Sequence, residues 1–200
     1  MYIAPAIHRD EWLKLKLDDD RSTDWNRAIE VFLARIQSRY LEPIDLLISA
    51  DEKRTPIERR YGFSIMAINC ILVETLQSFR EGLIDTEGKS KDMFKRFLPK
   101  REGFREHFQD ETQAEEFYKK FRCGILHQAE IMGPWLVWSV GSLKGQEADG
   151  TPYINRTKFY ELLKDEVTRY CDELRNLDNS ELRKNFRTKM DFIARKTEKA

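Results

Sequence analysis

Glycine, proline and cysteine are scarce in this chain of 200 residues. It contains nine glycines and six prolines, too few turn formers for a sandwich of many short strands, so long helices are favoured. The three cysteines, Cys70, Cys123 and Cys171, lie far apart and include no CxxC pair. This spacing indicates neither a disulfide framework nor a structural zinc site. We expect Cys70 and Cys171 to be small apolar core residues.

Long hydrophobic runs are missing as well. No apolar run approaches the roughly 20 residues that span a bilayer. The first 20 residues lack the basic stretch and the following apolar stretch of a signal peptide. We therefore expect a cytosolic protein without membrane contact.

An excess of charge of one sign is also absent. Lys and Arg total 35, and so do Asp and Glu, so the whole molecule has no strong attraction for nucleic acid, and RNA binding would depend on local patches. Two clusters of basic residues are candidates for such patches. Both also contain acidic residues, so charged helix faces exposed to solvent are the alternative interpretation. The first patch is Lys89, Lys91, Lys95, Arg96, Lys100, Arg101 and Arg105, and the second is Arg183, Lys184, Arg187, Lys189, Arg195 and Lys196.

Apolar residues at helical spacing are what the chain does have. They make up 40% of the sequence, enough for a core, and their spacing predicts an amphipathic helix over residues 24–41 that breaks before Ile44 because of Pro43. Thr55, Pro56 and Glu58 form a capping box for a second helix. That helix would run to Gly82, about 26 residues and roughly 39 Å, which is long enough for part of it to face a second subunit.

The rest of the pattern predicts two more helices and a small hairpin. Residues 83–110 are polar and predict a connecting excursion with a short amphipathic piece at residues 93–98. Asp110 would cap a third helix that ends near Gly133. Residues 135–140 predict a strand that pairs with Tyr153-Ile154 across the Asp149-Gly150 turn. Thr157 would cap a last long helix.

These elements predict an all-α fold of four to five main helices with a small β-hairpin insertion. Residues 1–22 would form an irregular N-terminal arm, residues 23–178 the helical domain, and residues 179–200 a charged, loosely attached C-terminal segment.

Arg122 and His127 carry the chemistry that the sequence suggests. An arginine, four residues and a histidine lie on the predicted third helix, preceded by aromatic residues, in a chain with only three histidines. The pattern resembles the Rx4–6H signature of HEPN domains, and the resemblance covers about residues 55–132. It implies a HEPN-like helical bundle, a two-fold homodimer with both motifs in one cleft, and RNA cleavage without metal or cofactor. It further implies a toxin or phage-defence effector, with an antitoxin or regulatory protein as a possible partner.

The residue types suit that reaction. An imidazole can exchange a proton near neutral pH, so His127 suits acid–base catalysis. A guanidinium can brace the oxygens of a phosphate in a bidentate way, which suits Arg122. Candidate substrate-binding residues lie nearby on the third helix and on the apolar second helix, and they are Cys123, Gln128, Glu130, Glu74 and Arg80.

Alternatives remain open at this point. On an α-helix, residues five apart are separated by roughly 140°, so Arg122 and His127 would converge only if the helix begins late, bends near Gly124 or faces a partner. Arg122 could instead pair with Glu115 or Glu130. Active HEPN domains usually carry a polar residue where this chain has Cys123. A non-catalytic module that binds RNA or nucleotide or mediates protein contacts, or a helical scaffold, is therefore the alternative function.

Overall fold

The computed structural model describes residues 1–195. Of these residues 63% are helical and 8% lie in strands, so the predicted mostly helical class is confirmed. Lys196 of the second basic patch and the end of the predicted C-terminal segment lie outside the described residues.

Helices make up most of the fold, and short strands occur near the N-terminus and before the last two helices. The α-helices are α1 (Arg9–Leu13), α2 (Asp24–Ile36), α3 (Glu42–Glu52), α4 (Gly62–Arg80), α5 (Ser90–Phe97), α6 (Glu102–Arg105), α7 (Glu111–Phe117), α8 (Arg156–Arg175) and α9 (Ser180–Arg195). Two π-helical segments, Gln37–Leu41 and Tyr118–Gln128, continue α2 and α7. The strands are β1 (Tyr2–Ala4), β2 (Ile7–His8), β3 (Leu136–Trp138), β4 (Lys144–Gln146) and β5 (Pro152–Asn155).

The N-terminal segment is part of the folded core, which differs from the predicted irregular arm. Strands β1 and β2 pair antiparallel, and α1 follows. Ile3 and Trp12 are buried, and the indole N–H of Trp12 donates to Asp191 on α9 at 2.8 Å. This hydrogen bond joins residues 179 positions apart, so no local sequence pattern indicates that the N-terminal segment is ordered.

The first predicted helix does not break at Pro43. Helix α2 passes through the π-helical segment Gln37–Leu41 directly into α3. Pro43 follows the π-helical segment at the second residue of α3, and its missing N–H removes one hydrogen bond from the continuous helix. The wider turn of the π-helix therefore replaces the predicted break.

The second predicted helix is shorter than expected. The capping box between Thr55 and Glu58 is present, but it closes a 3₁₀ turn over Pro56–Glu58 rather than starting the long helix. The backbone N–H groups of Arg60 and Tyr61 donate to the buried carboxylate of Asp51 at 3.0 and 3.1 Å. These two bonds hold the backbone out of the helix until α4 begins. The predicted stop is correct, because Gly82 adopts a φ of 63° just after α4.

Residues 83–110 are core-forming, so the prediction of a connecting excursion is wrong. They include α5 and α6, and Phe94, Phe97, Phe104 and Phe108 are fully buried. Phe104 packs against Phe159 of α8 with ring centroids 4.9 Å apart. The sequence does not show this contribution to the core, because charged residues separate the aromatic ones.

The predicted hairpin is a three-stranded sheet in the order β3–β5–β4. Strand β5 contains Tyr153 and Ile154, as predicted, but it pairs parallel with β3 and antiparallel with β4. The Asp149-Gly150 turn therefore joins β4 to β5. Asn155, rather than Thr157, caps α8 by accepting from two backbone N–H groups.

Helix α9 packs firmly, so the predicted loose attachment of the C-terminal segment is wrong for the described part. Phe186 and Met190 are fully buried, and Phe186 meets Phe32 at 5.7 Å between ring centroids. Cys70 and Cys171 are buried as predicted.

The central helix α4 qualifies by length and composition as a segment that could cross a membrane, a feature that the sequence analysis did not identify. Its mean hydropathy over 18 residues is 1.3, and 56% of that window is buried inside the fold. A core helix of a folded domain has the same features.

Candidate active site

The second π-helical segment brings Arg122 and His127 together. In a π-helix each backbone N–H bonds to the carbonyl five residues earlier, so residues five apart lie about one turn above each other. Arg122 and His127 have this separation, and Nη1 of Arg122 lies 3.1 Å from Nε2 of His127. The predicted α-helix is therefore corrected to a π-helix here, and the pair meets within one chain.

Glu74 of α4 orients the guanidinium of Arg122. Nε of Arg122 donates to Oε1 of Glu74 at 2.7 Å, and both side chains are less than one fifth exposed. Ser90, at the start of α5, donates to the other carboxylate oxygen at 2.7 Å and lies 3.5 Å from Nη2 of Arg122. The arginine thus has a fixed stem, while Nη1 faces His127 and Nη2 faces Ser90.

A close backbone approach at Gly124 ends the π-helical segment. Ala129 takes a left-handed conformation with φ of 54° and turns the chain back over the helix. A Cβ atom on Gly124 would lie 2.5 Å from the carbonyl oxygen of Glu130, and the backbone N–H of Glu130 donates to the carbonyl of Gly124. Glycine is required here because any side chain would collide with backbone atoms.

Electrostatics around the pair favour a permanently charged arginine. Burial lowers the pKa of Arg122, but the hydrogen bond and charge of Glu74 outweigh it, so the net pKa is raised. The Arg122 guanidinium lies 5.8 Å from the centre of the Tyr118 ring. Burial, and then hydrogen bonding to Cys123, raise the pKa of Tyr118 to about 12, so this phenol stays protonated near neutral pH.

The other predicted site residues divide into two groups. Glu74 contacts Arg122, and Cys123 lies beside Tyr118. Gln128 and Glu130 are exposed at the end of the π-helical segment, where the Glu130 carboxylate accepts from the N–H of Ile131.

Arg80 does not belong to this site, which corrects its predicted placement in the cleft. It lies further along α4, at the C-terminal end of that helix, where its guanidinium donates to Glu173 at 2.7 Å and to Glu166 at 2.8 Å. The alternative pairing of Arg122 with Glu115 or Glu130 is also wrong, since its carboxylate partner is Glu74 and Glu115 pairs with Lys119 at 2.7 Å.

Ser90 and Tyr118 are members of the site that sequence analysis missed. Tyr118 precedes Arg122 by four residues, so helical periodicity could have placed both side chains on one face. Ser90 had no comparable pattern, because it reaches Arg122 only through the packing of α5 against α4.

The contact shows which of the two side chains donates. A guanidinium has no acceptor and keeps its charge, so in a hydrogen bond between these side chains Arg122 donates and Nε2 of His127 accepts. His127 is exposed, so a ligand that replaces the bond to Arg122 would leave Nε2 free to accept a proton. A proton acceptor and a fixed cation thus share one solvent-accessible point. Among residues 1–195, no three His, Cys, Asp or Glu side chains form a group that could hold a metal ion.

Comparison of the chain with family models, with curated proteins and with solved structures found no match.

Proposed function

We propose that this protein is a HEPN-like, metal-independent endoribonuclease that acts in the cytosol and uses Arg122 and His127. The contact of 3.1 Å between these two side chains at a solvent-exposed position carries the proposal. It puts a proton acceptor and a cation within reach of the same phosphate group, which is what cleavage of RNA beside a ribose hydroxyl requires.

In the proposed reaction the ribose 2′-oxygen attacks the adjacent phosphorus. Nε2 of His127 takes the 2′-hydroxyl proton, the bond from phosphorus to the 5′-oxygen breaks, and the protonated His127 passes that proton to the 5′-oxygen, which regenerates the neutral ring. The products are a 2′,3′-cyclic phosphate and a 5′-hydroxyl. Nη1 of Arg122 would leave His127, and Nη1 and Nη2 would hold the non-bridging oxygens, where negative charge gathers in the transition state.

Glu74 and Ser90 have positioning roles in this proposal. The carboxylate of Glu74 holds Nε of Arg122, and Ser90 holds the second oxygen of that carboxylate. The guanidinium therefore loses little conformational entropy when it binds phosphate, because its orientation is fixed in advance.

Exposed apolar side chains support a homodimer. Phe63 at the start of α4, Leu126 next to His127, and Met132 and Leu136 just beyond the second π-helical segment are each more than one third exposed. A two-fold pairing through these residues would cover them and bring two Arg122–His127 pairs toward one cleft. By analogy with HEPN proteins, such a dimer would serve as a toxin or phage-defence effector held in check by an antitoxin or regulatory protein.

A cleavage assay with two histidine variants tests the enzymatic proposal. Wild-type protein, His127→Ala and the control His107→Ala are incubated with single-stranded RNA in EDTA, and the ends of the fragments are analysed. We expect wild type and His107→Ala to give 2′,3′-cyclic phosphate and 5′-hydroxyl ends, and His127→Ala to be slower by about 100-fold or more. Equal cleavage by wild type and His127→Ala, or none by either, would refute the proposal.

The second candidate is a non-catalytic module that binds RNA or nucleotide. Cys123 favours it, because the residue after Arg122 supplies a thiol, a weak hydrogen-bond partner, and that thiol lies beside Tyr118. RNA binding that depends on Arg122, without cleavage by the wild type, would select this function.

A further inference from the structure

A cavity of about 280 Å³ opens next to Glu74, and neither Arg122 nor His127 lines it. Residues from α2, the first π-helical segment, α4 and α9 form its walls. The polar side chains in its lining include those of Arg35, Tyr40, Glu74, Thr75, Thr86 and Lys189. The cavity and the candidate active site therefore share one residue, Glu74.

Two cations in this cavity have only carbonyl partners. Nη1 of Arg35 donates to the carbonyl of Ile3 at 2.7 Å, and Nζ of Lys189 donates to the carbonyl of Leu83 at 2.5 Å. Within residues 1–195, neither cation forms a salt bridge of 4.0 Å or less with a carboxylate. Other basic residues of α9 do pair with acids, for example Arg187 with Asp18 at 2.6 Å.

The pKa shifts agree with this lack of acidic partners. Burial, and then the charge of Arg39, lower the pKa of Arg35 to about 10. Burial lowers the pKa of Lys189, the charge of Arg35 lowers it further, and Asp85 opposes both effects. An anion bound between Arg35 and Lys189 would relieve these costs, since it would replace repulsion between cations with attraction.

The other polar groups of the cavity do not compensate the charges of Arg35 and Lys189. Both oxygens of Glu74 already accept hydrogen bonds, from Arg122 and from Ser90, so its charge is directed away and compensated. The hydroxyls of Tyr40 and Thr75 share one hydrogen bond of 3.0 Å, which leaves one of their two hydroxyl hydrogens available to a ligand.

We propose that this cavity is a phosphate-binding subsite, in which Arg35 and Lys189 hold a backbone phosphate of the RNA other than the scissile one. The inference rests on the proposed function and deepens it. Arginine, lysine and hydroxyl donors are the groups that bind phosphate oxygens. The shared Glu74 would then connect this binding subsite with the Arg122–His127 pair.

Lys189→Met and its control Lys184→Met separate a specific subsite from a general charge effect. Both residues lie on α9 and both changes remove one positive charge, but Lys184 is exposed and outside the cavity lining. In a His127→Ala background the RNA stays intact, so its affinity is measured over a range of salt concentrations. Circular dichroism and thermal unfolding show whether each variant is folded. A second arm measures protection of the single variants by inorganic phosphate at matched ionic strength.

The expected result is about tenfold weaker RNA binding for Lys189→Met than for Lys184→Met. The slope of log K against log salt should fall by about 0.7 when one phosphate contact to a single strand is lost. Phosphate should raise the unfolding temperature of Lys184→Met and wild type, and raise that of Lys189→Met clearly less.

Equal RNA affinity and equal phosphate protection in the two lysine variants would overturn the subsite, even if the wild type cleaves RNA. Conversely, selective loss of RNA binding in Lys189→Met would support the subsite even if the wild type fails to cleave, which would refute only the enzymatic proposal. Phosphate protection without RNA binding by any variant would overturn the assignment of the subsite to RNA.

Discussion

Replacing Gly124 with alanine would push a methyl group into the backbone that returns over the second π-helical segment. The new Cβ would lie 2.5 Å from the carbonyl oxygen of Glu130, 3.2 Å from the N of Met132 and 3.3 Å from the Cα of Ile131. All three are backbone atoms that cannot rotate away. Overpacking of this kind costs about 1–3 kcal/mol, and each kcal/mol lowers the Tm of a chain this size by about 2–4 °C.

We therefore expect Gly124→Ala to lower the Tm by roughly 2–12 °C. We also expect it to slow RNA cleavage by more than the loss of folded protein at the assay temperature would explain. The second effect follows because the strain is relieved most easily by unwinding the turn that holds His127 beside Arg122. Thermal unfolding by circular dichroism gives the Tm, and the EDTA cleavage assay at a temperature well below the transition gives the activity.

Gly103→Ala is the matched control. Its Cβ would meet the end of the flexible Leu162 side chain at 2.9 Å, and Gly103 lies in helix α6, where alanine is the better helix former. This variant should change the Tm little and leave cleavage intact. If Gly124→Ala unfolds and cleaves as the wild type does, the proposed coupling between the close backbone approach and the Arg122–His127 pair is refuted.

Three further predictions concern stability. Asp51→Ala should lower the free energy of unfolding by about 3–5 kcal/mol in urea titration, because it leaves the buried guanidinium of Arg156 without its partner at 2.6 Å. Adding Arg156→Met should restore part of that loss, and no restoration would contradict the explanation. Ala129→Gly should raise the Tm by about 2–4 °C, since glycine adopts the left-handed conformation without the cost of about 1 kcal/mol that alanine bears; an unchanged or lower Tm would argue against strain there. Burial lowers the pKa of Lys144 to about 8 in the folded protein, and in the unfolded chain this pKa is about 10.4. Between these two pH values the unfolded state binds more protons than the folded state, so the free energy of unfolding rises with pH. Urea unfolding at the two ends of this pH range should show this rise in wild type and a smaller one in Lys144→Met, and equal rises would refute it.

The amino-acid sequence determined the features that depend on neighbours in the chain. The mostly helical class follows from apolar residues at helical spacing. The Asp110 cap is present as predicted, with its carboxylate accepting from the N–H of Gln113 at 2.8 Å. Gly82 ends its helix because only glycine adopts that conformation without strain. Arg122 and His127 were identified because their pattern resembles the Rx4–6H signature.

The tertiary structure decided how those pieces combine. The separation of five residues argued against one shared face on an α-helix, and the π-helix reversed that conclusion. Packing of the second π-helical segment against α4 brought Glu74 to Arg122, 48 positions away. The carboxylate of Asp51 delays the start of α4, because it accepts hydrogen bonds from the backbone N–H groups of Arg60 and Tyr61, nine and ten positions later.

Local hydrogen bonds and backbone preferences act over a few residues, so the sequence shows them directly. The charge partners of Arg122, Arg35 and Lys189 depend on which distant helices pack together, and that packing is set by the burial of the whole apolar core rather than by any single segment. The candidate residues were therefore visible in the sequence, whereas their arrangement into a site was decided only by the fold.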